Sequence, residues 1–223
     1  MDRLKDEQKR TFILIMIAFF IVTAVILGKY FFEGAVYLTM LIVGIIFLIF
    51  FKQILGFFGV KVKPSDKLYG VSNKPIKGIF IGLAFGGAFL ILTSIKIFNV
   101  VISMTLPSLP LSLVGNGIIV SVVAPICEEI FFTMVLFSVL GLFLPIFWSA
   151  IIKGTVFSLF HIGAYLVGSE PSAMVGAFIG AGVFGMIGCY LAKYGGLEAT
   201  ITGHAFFNII NFNKVYHIFS VIS

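Results

Sequence analysis

Five polar side chains in this sequence have types and spacings suited to chemistry: the tandem pair Glu128 and Glu129, the histidines His161 and His204, and Asn208. The two glutamates interrupt the apolar run Ala-Pro-Ile-Cys-Glu-Glu-Ile-Phe-Phe, far from any charged loop. Adjacent carboxylates at such a depth cannot both stay ionised without partners, because burial and mutual repulsion each penalise the charged form. A carboxylate held in that balance can take a proton from water, which is general-base chemistry. His204 and Asn208 are four residues apart and share one helical face. Imidazole and amide are donors suited to a developing oxyanion. His161 closes the run Phe157-Ser-Leu-Phe-His161 on another segment. A structural reading stands beside this one: the glutamates would then pair helices or hold an ion, and the histidines would be satisfied core residues.

The elements that must position these groups are membrane helices. Hydrophobic residues make up 60% of the 223, and charged residues only 11%. A soluble domain is about 45–50% apolar and about 25% charged, so the charge here suffices for loops and cannot coat a globule. Mean hydropathy is +1.17. Apolar runs long enough to span a bilayer occur at 12–28, 34–51, 78–100, 113–143, 146–167, 173–192 and 197–213. The fold expected is all-α: a polytopic transmembrane bundle of about seven spans, multi-pass in the cell membrane. The run 113–143 exceeds what a bilayer needs, so that helix is tilted or begins late. Pro107 and Pro110 break the pattern just before it. Residues 1–100 are expected to form N-terminal transmembrane helices with a basic cytoplasmic loop, and 101–223 a catalytic core. The first run, Phe12 to Leu27, follows basic residues without a small-x-small cleavage pattern, which fits a retained signal-anchor helix.

The net charge of +6 is concentrated. Arg3, Lys5, Lys9 and Arg10 lie in the N-terminal tail, and Lys52, Lys61, Lys63, Lys67, Lys74 and Lys77 in one loop. Seven spans put both groups on one side, the cytoplasmic one by the positive-inside rule, and leave the C-terminus opposite. This is a juxtamembrane pattern directed at membrane lipids, and no nucleic-acid partner is expected. Cys127 and Cys189 lie in apolar stretches and read as small packing residues. Gly82, Gly86 and Gly87 in the third run, and Gly176, Gly180, Gly185 and Gly188 in the sixth, form small faces for close helix packing. Lys96 and Lys153 lie near span ends, where a lysine can snorkel to the headgroups.

Several protease chemistries are excluded. There is no His-Glu-x-x-His and no Gly-x-Ser-x-Gly, and the only aspartates, Asp2, Asp6 and Asp66, lie outside the spans. Glutamate with histidines remains.

These residues resemble the CAAX protease and bacteriocin-processing enzyme family, comprising the type II CAAX prenyl endopeptidases and their bacterial and archaeal relatives. That family carries Glu-Glu-x-x-x-Arg, Phe-x-x-x-His and His-x-x-x-Asn on three helices. Here the elements are Glu128-Glu129-Ile-Phe-Phe-Thr133, Phe157 to His161, and His204 to Asn208, within about 113–213. The resemblance implies an intramembrane endopeptidase acting on a membrane-associated or lipidated peptide. Glu128 would activate the water, His161 would help position it, His204 and Asn208 would stabilise the oxyanion, and Glu129 would orient the site. No cofactor and no metal are expected, although Glu128, His161 and His204 also make a three-ligand zinc set that spacing alone does not separate from the metal-free site.

Thr133 stands where the family usually has Arg. It offers a hydrogen bond to Glu129 but no charge. One consequence is a protonated, structural Glu129 that leaves Glu128 as the base, and a second is a non-catalytic member, serving bacteriocin self-immunity or peptide binding. Another is a replacement cation: Lys153 lies two helical turns before His161, with Phe157 between them. Lys153 therefore either snorkels or pairs with Glu129.

Overall fold

The computed structural model describes residues 2–28, 34–57, 70, 72–94, 119–165 and 171–216. Among these the chain is a bundle of eight helices with no strand. They are α1 (Asp2–Gly28), α2 (Gly34–Ile49), α3 (Phe51–Phe57), α4 (Pro75–Ser94), α5 (residues 119–141), α6 (Ile146–Tyr165), α7 (Pro171–Gly195) and α8 (Leu197–Tyr216). Among the described residues every one of the seven apolar runs overlaps a helix, as a membrane bundle requires, since backbone polar groups in lipid must be satisfied within each segment. Three helices contain stretches long and apolar enough to cross a bilayer: Arg10–Leu27, Ser121–Gly141 and Phe178–Gly195. Ala35–Ile49, Pro75–Phe89 and Ile146–His161 are shorter apolar helices.

Two boundaries differ from expectation. The second run breaks at Phe50 and resumes as α3, so the first part of the expected basic loop, Lys52 included, is helical. The third begins at Pro75, where a missing N–H costs nothing, and takes in Lys77. Lys96, Pro107 and Pro110 lie outside the described residues.

Lipid-facing side chains are apolar: Leu14, Val22, Ile26, Leu38, Ile49, Phe80 and Ile91 are all exposed. The buried core is aromatic. Phe12, Met16, Phe20 and Ala24 recur every fourth residue on one face of α1 and are all buried. Phe20 reaches Phe131 of α5 at a centroid distance of 4.8 Å.

Helix α5 runs through the centre. Ala124–Glu128 and Ser138–Gly141 are α-helical, whereas Ile119–Val123 and Glu129–Phe137 take the wider π geometry. Pro125 has no N–H to return to the preceding turn, and a widened turn relieves the clash its ring would cause. The change of pitch falls between Glu128 and Glu129, and π turns in helices frequently mark functional positions.

Glycines set two close crossings. A Cβ on Gly82 of α4 would collide with the Ala199 carbonyl of α8 and stand 2.9 Å from the Gly203 nitrogen. A Cβ on Gly86 would meet the Phe206 ring at 2.9 Å. Gly87, expected on the same face, has nothing within 4 Å: it is one residue, about 100°, further round the helix. On α7, Gly185 lies against Gly154 and Phe157 of α6, and Gly188 against the Lys153 ammonium.

The turn from α7 to α8 passes through Gly196 at φ 83°, a left-handed conformation open to glycine at a helix C-terminus. The Glu198 carboxylate then accepts the Ser72 N–H at 3.1 Å and the Ser72 hydroxyl, and Leu197 N–H donates to Gly70 O at 3.1 Å. These bonds fix the start of α8 to the segment leading into α4.

Candidate active site

Helices α5, α6 and α8 bring Glu128, Glu129, His161 and His204 into one group inside the bundle. The two carboxylates and His204 are buried, and the His161 side chain is 18% exposed. Asn208 follows His204 by one turn on the same face of α8 and is half-buried.

Glu129 is engaged through both oxygens. Thr133, one turn on, donates its hydroxyl to Oε2 at 2.5 Å. His204 Nδ1 stands 3.0 Å from Oε1. Because a carboxylate oxygen accepts, Nδ1 is the donor in this pair. Lys153 Nζ lies 3.7 Å from Oε2, an ion-pair distance.

That lysine settles the alternative left by its position in the sequence. Its side chain is 0% exposed, Nζ donates to the Gly185 carbonyl of α7 at 3.2 Å, and it sits 4.8 Å over the Phe157 ring. Lys153 does not snorkel: its stem runs inward to the Gly185 carbonyl of α7.

Glu128 is arranged differently. Its Oε2 is buried and has no hydrogen-bond partner among the described residues. It faces His204 Nε2 at 3.8 Å and His161 Nε2 at 4.0 Å. His161 Nδ1 lies 2.9 Å from the Phe157 carbonyl, one turn back on α6. A carbonyl can only accept, so the proton of neutral His161 is on Nδ1 and its Nε2 lone pair looks towards Glu128. Aromatic rings wall the group: Phe157 contacts the His161 ring at 4.4 Å, and Phe184 of α7 contacts the His204 ring at 4.8 Å. Apolar walls strengthen every electrostatic interaction between them.

Among the described residues, no three His, Cys, Asp or Glu side chains are grouped to hold a metal ion. Two residues near the site carried no signal in the sequence. Tyr37 of α2 is buried within electrostatic reach of Glu128 and Cys127, but one tyrosine in an apolar run looks like packing. Phe184 lies in a run read only for its glycines.

Residues 110–210 match the family model described as type II CAAX prenyl endopeptidase Rce1-like. Over these residues the chain is similar to that family. The resemblance drawn from the three short motifs is thereby borne out, and the match contains all five candidate residues together with Thr133 and Lys153. The family is one of membrane proteases, in keeping with the apolar helices here. Neither a curated protein nor a solved structure matches the chain.

Proposed function

We propose that the chain is an intramembrane endopeptidase of the cell membrane, hydrolysing a peptide bond in a membrane-associated or lipidated substrate by a glutamate-activated water. The observation that carries this reading is the buried Glu128 Oε2, which has no hydrogen-bond partner among the described residues and faces the Nε2 atoms of both histidines.

A water between Glu128 Oε2 and His161 Nε2 would donate one proton to each and present its oxygen lone pair to a peptide carbonyl. Glu128 takes the proton as the oxygen attacks the carbonyl carbon. The C=O electron pair moves onto oxygen, and the oxyanion is met by the Asn208 amide and by the His204 ring, which Glu129 holds through Nδ1. Collapse of the intermediate breaks the C–N bond, and the proton on Glu128 passes to the leaving amine. Glu129 orients His204 and takes no part in proton transfer.

The Rce1-like match supports a prenylated, C-terminal cysteine-containing tail as the first substrate class to try. The Lys153 ammonium beside Glu129 supplies the cation whose absence motivates the other reading of Thr133, non-catalytic peptide binding. The experiment is incubation of purified protein in bilayer nanodiscs with prenylated and unprenylated peptides in 18O-labelled water. One 18O atom in a new C-terminal carboxyl group, absent with Glu128→Ala, is the expected result. Peptide retained uncleaved by both proteins would replace this reading with peptide binding.

A further inference from the structure

We propose that Lys153 is a positioning residue for the site: by holding Glu129 Oε2 it keeps Oε1 on His204 Nδ1, and so keeps His204 Nε2 turned towards Glu128. The proposal rests on the glutamate-base reading above for its consequence in catalysis, and on geometry alone for its consequence at His204.

The two oxygens of Glu129 are divided between helices. Oε2 takes the Thr133 hydroxyl from its own helix and faces the Lys153 ammonium from α6, whereas Oε1 takes Nδ1 of His204 from α8. Thr133 is one turn from Glu129 on the same helix, so its bond moves with the carboxylate and resists rotation of the helix only weakly. Lys153 is different: it is anchored on α7 through the Gly185 carbonyl and braced by the Phe157 ring. The cation therefore ties the carboxylate to two neighbouring helices.

Burial of this ammonium is costly. Taking a charge out of water is unfavourable, and a long lysine stem can otherwise reach towards the headgroups. Lys153 instead lies fully inside, beside the carboxylate that has only a neutral donor on its own helix. Gly188 of α7 also faces it: a Cβ there would stand 3.4 Å from Nζ, in ordinary van der Waals contact. Phe157 carries the same ordering to the other histidine, since its ring lies beneath Lys153 and its carbonyl accepts His161 Nδ1–H.

Without the ammonium, Oε2 keeps one neutral donor and the carboxylate is free to turn about its terminal torsion, drawing Oε1 from Nδ1. A misplacement of about 1 Å in a catalytic group costs about 10²-fold in rate. Lys153→Met is therefore expected to lower kcat about 10²-fold with KM little changed, because Lys153 touches no substrate. Lys153→Met with Thr133→Arg is expected to recover at least a tenth of wild-type kcat, the cation now arriving from α5.

A measurement independent of activity is the low-field Nδ1–H proton resonance of His204 in 15N-histidine-labelled protein, assigned by its loss in His204→Asn. It is expected in wild type, absent in Lys153→Met and present again in the double variant. If the double variant does not fold, Lys153→Arg takes its place with the same expectation. A resonance unchanged in Lys153→Met overturns the proposal, as does a variant whose unfolding temperature falls while kcat and resonance stay at wild-type values. A resonance that responds as expected in a protein that cleaves no peptide leaves Lys153 in its positioning role and refutes the endopeptidase reading instead.

Discussion

Glu128 and Glu129 are chain neighbours with opposite surroundings. Glu129 Oε1 is 3.0 Å from His204 Nδ1 and its Oε2 is bonded to Thr133, whereas Glu128 Oε2 has no hydrogen-bond partner among the described residues. His204 links the two, since its Nε2 stands 3.8 Å from the same Glu128 oxygen. Two identical side chains are thus separated into a fixed acceptor and a group open to reaction. The separation follows from where α6 and α8 place their cation and imidazole.

Asn208→Ala is expected to lower kcat by about 10²–10³-fold, the usual cost of removing an oxyanion donor, with KM nearly unchanged. Steady-state kinetics on any cleaved peptide checks this. A rise in KM at constant kcat would place Asn208 in substrate binding.

Chelation is expected to leave activity intact, because in the proposed mechanism Glu128 and His161 handle the water without a metal. Overnight dialysis against a chelator, followed by an assay with and without added zinc, checks it. Inactivation reversed by zinc would turn Glu128, His161 and His204 into ligands.

Gly82→Ala is expected to destabilise the protein by about 1–3 kcal/mol, since the new methyl would strike backbone atoms of α8 that cannot move aside individually. Gly87→Ala, with nothing within 4 Å, is the control and is expected to be neutral or slightly stabilising. Thermal unfolding in detergent distinguishes the two. Equal midpoints would show that α4 and α8 do not cross as closely as described.

The helices were legible in the sequence because apolar length is a strong signal in lipid: among the described residues all seven runs overlap helices, and the break at Phe50 is the main internal surprise. The grouping of Glu128, Glu129, His161 and His204 was also legible, from polar residues standing where they cost most. The direction of Lys153 was not. A lysine two turns into a helix points outwards or inwards according to what its neighbour offers, and here that is the Gly185 carbonyl on a helix with no motif. Glycine spacing likewise placed Gly82, Gly86 and Gly87 on one side, but only the crossing angle with α8 decides that Gly87 is left out. The Ser72–Glu198 latch gave no signal, because its partners lie 126 residues apart in segments that look like ordinary loop and helix start.

The most direct measurement is the initial rate of Glu128→Gln on a peptide that the wild-type protein cleaves, with circular dichroism and unfolding temperature recorded on the same samples. Gln keeps the shape of Glu but cannot take a proton. A loss of about 10²–10⁴-fold at unchanged helix content and stability is expected for a general base. A Glu128→Gln protein that is folded and cleaves at the wild-type rate would contradict the assignment and move the chemistry to another residue.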